Sequence, residues 1–152
     1  MNVSMKRDDP PELALGRPLS ERVSGGALHG NLMAAACPSR EVLNHVTSRW
    51  GVLVLMALEA RTLRFSQLKR QIGGVSERML AQTLKALESD GFVRPQAFEV
   101  VPPHVEYSLT PLGLEVAERV RSLADWIEVN LPRILEHWTP EDRAAYAPET
   151  AA

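Results

Sequence analysis

Apolar residues recur in short, sharply punctuated blocks from Ser39 onward. Ser39, followed by Arg40 and Glu41, reads as the N-cap of a short helix carrying Val42, Leu43 and Val46. Trp50 to Leu58 is apolar almost all round, and periodicity alone does not separate a buried helix from a buried strand there. Phe65 to Ile72 is a short amphipathic helix with Phe65, Leu68 and Ile72 on one face, ended by Gly73-Gly74. Ser76 then caps the most regular helix of the chain, which runs to Ser89. Met79, Leu80, Thr83, Leu84 and Leu87 form its apolar stripe, while Arg78, Gln82, Lys85 and Ser89 face away. Gly91 stops it. Phe92–Val100 and His104–Leu109 are β-prone runs around Val101-Pro102-Pro103, a hairpin with a proline-bearing loop. Thr110-Pro111 is an N-cap with proline in the first helical position. It opens a long helix over 111–138 with Leu112, Val116, Val120, Leu123, Ile127, Leu131 and Trp138 on one seam. Pro132 falls inside that pattern and is expected to kink or split the helix.

The order of elements is that of a winged helix-turn-helix. Two short helices meet at a glycine turn, the second has a polar outer face, and a hairpin and a long helix follow. The expected fold is therefore α+β and mostly helical, with a two-stranded wing and a long C-terminal dimerisation helix. Before it, residues 1–35 hold Pro10-Pro11, Gly16, Pro18, Gly25-Gly26 and Gly30 with no sustained period, and read as a flexible arm. Residues 36–138 form the single expected domain, and the Ala/Pro/Glu-rich stretch 139–152 a flexible tail.

Composition narrows the function. The 152 residues carry 17 Lys+Arg, 19 Asp+Glu, four His and one Cys, for a net charge of −2. One cysteine excludes an internal disulfide framework and cysteine-rich zinc folds, and suits a reducing cytoplasm. The longest nearly apolar run, Val52 to Leu58, is far short of the ~20 residues of a membrane span. No secretory signal is visible, so a cytoplasmic location is expected. The charge is unevenly spread: from Arg61 to Arg94 there are seven basic residues against three acids. Affinity for duplex DNA comes largely from counterion release at phosphates, which requires such local concentration. The N-terminal half of the polar helix offers Ser76, Glu77, Arg78 and Gln82, with Lys85 a turn further back. Arg pairs with guanine and Gln with adenine in the major groove, while Lys85, like Lys69 and Arg70 of the preceding helix, suits phosphate. A charged helix face is by itself ordinary solvated surface; the glycine turn, the hairpin and the local charge together favour DNA.

One run of motifs resembles a known family. Cys37-Pro38, Trp50-Gly51, Leu63-Arg64-Phe65-Ser66-Gln67-Leu68, Gly74-Val75-Ser76-Glu77-Arg78-Met79-Leu80 and Asp90-Gly91-Phe92-Val93 are similar to the HxlR family of bacterial transcriptional regulators. So is Val101-Pro102-Pro103-His104-Val105-Glu106-Tyr107-Ser108-Leu109-Thr110, and the likeness spans about Cys37 to Trp126. The resemblance implies a winged helix-turn-helix, usually homodimeric, that binds operator DNA. It also implies that Trp50–Leu58 is a helix. Arg64 and Ser66, with Arg94 and His104 of the wing, complete the candidate DNA contacts. The chain departs from the family pattern in His104, where Arg is usual, in Pro95, where a basic residue is common, and in Ala81, often Thr. The wing is thus less basic than the pattern.

Cys37 is a candidate sensor. A helix start lowers a thiol's pKa, and Arg40 is near in sequence. The resemblance implies that a cysteine here senses oxidants or electrophiles in several family members; otherwise it is a small, inert packing residue. As the single thiol it is limited to an intersubunit disulfide, a mixed disulfide or a sulfenic acid. His29, His45, His104 and His137 have no metal-ligand spacing, and no phosphate loop or nucleophile elbow is present. No metal, cofactor or catalytic residue is expected. Leu112, Val116, Val120, Leu123, Ile127 and Leu131 are the expected dimer contacts, because half-sites one helical turn apart call for a two-fold protein. The expected function is a DNA-binding transcriptional regulator, homodimeric on an inverted-repeat operator, with an effector the sequence does not name. The rival is a winged helix used only to bind protein; a small-molecule enzyme would need a catalytic pocket that the sequence lacks.

Overall fold

A computed structural model describes residues 32–146, in two units that meet between Leu43 and Asn44. The expected arm lies outside the described residues except for 32–35, and so does the tail after Tyr146.

In the first unit, residues 32–36 form turns and Cys37 N–H donates to Ala34 O at 3.2 Å. The helix α1, Pro38–Thr47, then begins. Its first carbonyl acceptor is Cys37, which receives both Arg40 N–H and Glu41 N–H, so the helix starts one residue before the expected Ser39 cap. Pro38 in the first turn explains the shift, since proline is preorganised there and needs no donor. Arg40 Nη1 donates to Met33 O at 3.3 Å.

The second unit holds the core. The helix α2, Arg49–Glu59, settles the ambiguous apolar run as helical, capped by Ser48, whose hydroxyl accepts from Gly51 N–H at 3.1 Å. It is apolar all round because it is central: Val54, Leu55 and Leu58 are buried, and α2 packs against the two longest helices. A two-residue strand β1, Leu63–Arg64, leads into α3, Phe65–Gln71, and then α4, Glu77–Ser89. β2, Val93–Phe98, and β3, His104–Leu109, follow.

The sheet has three antiparallel strands in the order β1-β3-β2, where the sequence predicts a two-stranded wing. β1 pairs Leu63 with Tyr107 and Arg64 with Glu106, and two residues are too few to show alternation in the sequence. β2 and β3 pair from Val93 with Leu109 to Phe98 with His104.

The helix α5 spans Pro111–Leu135, three residues shorter than expected, and Trp138 lies beyond it. Thr110 caps it, accepting from Gly113 N–H at 3.0 Å and donating to Gly91 O at 2.5 Å. Gly113 is obligatory: a Cβ there would sit 2.0 Å from the Phe92 carbonyl oxygen, so α5 lies directly on the backbone entering β2. Pro132 does not split the helix. Its missing N–H removes one bond, to the Glu128 carbonyl, and only Arg133–Leu135 follow it in the helix. The seam also differs from expectation, since Gly113, Ala117 and Val120 are the buried positions of α5. A short helix α6, Pro140–Ala144, ends the described chain. Among the described residues no helix is long and apolar enough to cross a membrane.

Candidate nucleic-acid interface

α3 and α4 are held rigid by their apolar sides. Leu68, Ile72, Val75, Leu80, Leu84 and Leu87 are all buried. Gly74 makes the turn with φ +85°, a left-handed conformation that other residues avoid, whereas Gly73 has ordinary φ and open space around it. Arg64 N–H donates to Gln67 Oε1 at 2.8 Å and so closes the first turn of α3. Ser76 accepts from Met79 N–H at 3.1 Å and closes the first turn of α4. Glu77 in that turn complements the helix dipole.

This arrangement exposes one face of α4. Arg78, Gln82 and Lys85, at intervals of four and three residues, are exposed opposite buried Leu80, Leu84 and Leu87. Ser76 and Glu77 are exposed at the helix start. Arg64, Ser66 and Arg70 are exposed on β1 and α3, and Lys69 is half-buried. Arg61, part of the local basic excess but not among the expected contacts, shares a shallow surface hollow with Arg70, Gln67 and Gln71. Met79, expected in the buried stripe, is 42% exposed.

The far end of α4 is tied down. The Asp90 carboxylate, at the C-cap, accepts from His45 Nδ1 of α1 at 2.6 Å with both side chains largely buried. Nothing in the sequence spacing connects these two residues, which are 45 positions apart. Charge periodicity therefore gave no signal for the pair.

The wing carries little free positive charge. Arg94 is exposed near its base. His104 is engaged within the hairpin: its ring stacks on Phe98 with centroids 5.0 Å apart, Nδ1 lies 3.3 Å from Pro102 O, and Nε2 lies 3.4 Å from Glu106 Oε1. The tip is apolar, with Val100 and Val101 exposed. In the middle strand the Tyr107 hydroxyl is pushed above its ordinary pKa, first by burial and then by the negative charge of Glu88.

The expected dimer positions separate into two groups. Val120 is buried in the chain's own core, and Val116 and Leu131 are half-buried. Leu112, Leu123 and Ile127 are exposed, beside Trp126 at 58%. These apolar side chains have no cover within the described residues. Cys37, at the start of α1, is buried at 6% exposure.

Comparison with known proteins places this geometry. The family model described as HxlR-like helix-turn-helix matches residues 45–135. An uncharacterized HTH-type transcriptional regulator of Escherichia coli strain K12, YtfH, is 66% identical over 116 residues, covering 76% of this chain and 90% of its own. The solved structure of YtfH from Salmonella typhimurium is also 66% identical, with a TM-score of 0.68, covering 70% of this chain and 96% of that one. The redox regulator HypR in its reduced form is 31% identical with a TM-score of 0.59, covering 66% of this chain and 99% of that one. With a helix-turn-helix match over most of the folded chain and an exposed polar α4 behind a glycine turn, the chain belongs to the HxlR-like family of DNA-binding transcriptional regulators.

Proposed function

We propose that the chain binds an inverted-repeat operator as a homodimer, with α4 of each protomer in the major groove. The observation that carries this is the exposed stripe Arg78–Gln82–Lys85 on a helix whose other side is locked by buried leucines. Arg78 and Gln82 read base edges, with Ser76 and Glu77 at the entering end of the helix. Lys85, Lys69, Arg70, Arg64 and Ser66 contact phosphates and set the register. Arg94 is the wing's cationic contact, and His104 orders the wing through its stack on Phe98. The uncovered apolar face of α5, with Leu112, Leu123, Ile127 and the neighbouring Trp126, supports the dimer. Val120 serves the protomer's own core.

Selection from a random DNA pool tests the reading. The expected product is an inverted repeat whose affinity falls steeply with salt. Recovery of no duplex, with salt-insensitive capture of protein instead, would replace it with the protein-interaction alternative.

A second reading concerns Cys37, and likeness to a redox regulator favours it. Hydrogen peroxide oxidises a thiolate to sulfenic acid and releases hydroxide. Because Cys37 is 6% exposed, the reagent reaches it only through local opening of the structure around it. Peroxide or a quinone is expected to lower operator affinity of the wild type and leave Cys37→Ser unaffected, and dithiothreitol to reverse the peroxide effect. Equal responses in the two proteins would make Cys37 a packing residue.

A further inference from the structure

We propose that Met79 is a specificity-determining residue that reads the C5-methyl group of a thymine in the major groove. The proposal rests on the placement of α4 in that groove and adds a hydrophobic contact to it. Helical spacing assigns Met79 to the core stripe with Leu80, yet Leu80 is fully buried and Met79 is 42% exposed. Among the described residues it is the one large apolar side chain of α4 that is exposed.

Its position and neighbours point to DNA as the occupant. Met79 is the third residue of α4, in the turn that enters the groove first, directly after Arg78. The surrounding surface is cationic and polar, with Arg78, Gln82 and Lys85 exposed on the adjoining face, which suits a polyanion better than an apolar protein patch. Met79's own N–H is not available to a phosphate, because it is bonded to the Ser76 hydroxyl at 3.1 Å. One turn on, the half-buried Thr83 donates its hydroxyl to Met79 O at 2.8 Å, so that proton is not available to a base. One flank of α4 therefore presents the polar side chains of Arg78, Gln82 and Lys85, and the other presents the thioether of Met79. In the major groove the apolar feature is the thymine methyl, which no other base carries. A methionine, unbranched and polarizable, adapts to such a small target.

Single thymine-to-deoxyuridine replacements along the selected half-site test the assignment, since each removes one methyl and no hydrogen-bonding group. At one thymine the wild type is expected to lose about fourfold in affinity, the factor for burying one methyl group. Met79→Ala is expected to bind the two DNAs equally at that position, and Met79→Leu to retain part of the discrimination. Wild-type indifference to every replacement, or the same loss in Met79→Ala, would overturn the proposal while leaving operator binding intact. Failure to select any DNA would instead remove the underlying placement of α4. Sedimentation of Met79→Ala is expected to match the wild type; a change in association state would put a second copy of the chain on Met79 and overturn the proposal.

Discussion

In the proposed complex Arg78 and Lys69, two cations of one motif, divide the work. Arg78 is exposed at the start of α4, and the proposed placement of that helix puts its guanidinium at a base edge. Arg78→Ala is expected to cost about 1–3 kcal/mol on the operator and to relax preference at one position per half-site. Lys69→Ala is expected to weaken all duplexes alike and flatten the salt dependence. Equal loss on operator and random DNA for Arg78→Ala would remove its base-reading role. Tyr107 makes a residue-scale statement about stability. Its folded pKa is raised above 10.0, so between the unfolded and folded values the native state holds a proton that the unfolded chain has released. Stability from this group is complete below about pH 10 and is lost as pH rises through the folded value. Tyr107→Phe is expected to remove that part of the alkaline loss, read as a flatter stability curve above about pH 10 in urea titrations.

At the scale of elements, glycine contacts position the motif. α5 lies on the Phe92 carbonyl at Gly113, and the neighbouring atom is backbone, which cannot swing aside. Gly113→Ala is expected to cost about 1–3 kcal/mol, measured as a lower denaturation midpoint. Gly73→Ala, at a residue with open space and ordinary φ, serves as the control. An equal loss in the two variants would mean that close approach is not what Gly113 provides. The caps at Ser76 and Thr110 and the stop at Gly91 were legible in the sequence, because capping depends on residues within a few positions of each other. β1 was not, because its only reason to be a strand is the partner β3, more than 40 residues away.

At the scale of the whole molecule, the proposed dimer rests on the exposed apolar face of α5. Leu123 is 55% exposed, so Leu123→Asp leaves the protomer's core intact. The variant is expected to sediment as a folded monomer and to lose operator binding, since one half-site alone holds a single α4. An intact dimer would place the interface elsewhere. The contrast with Val120 matters here: it shares the predicted seam, but it is buried, and Val120→Asp would unfold the chain rather than dissociate it.

Local sequence determined the order of elements, their caps and turns, the polar face of α4 and, through the family motifs, the helix-turn-helix itself. Each depends on side chains a few positions apart along the backbone. Tertiary structure decided what periodicity leaves open, namely which flank of an apolar stripe meets a neighbour. Met79 and Leu80 are adjacent in sequence, yet only Leu80 reaches the core. Leu123 and Val120 sit on one predicted seam, yet only Val120 faces the protomer. Hydrophobicity makes burial favourable without specifying the partner, and the partner is fixed only when the helices pack. The His45–Asp90 bond was invisible for the same reason: it exists because folding brings the end of α1 to the end of α4.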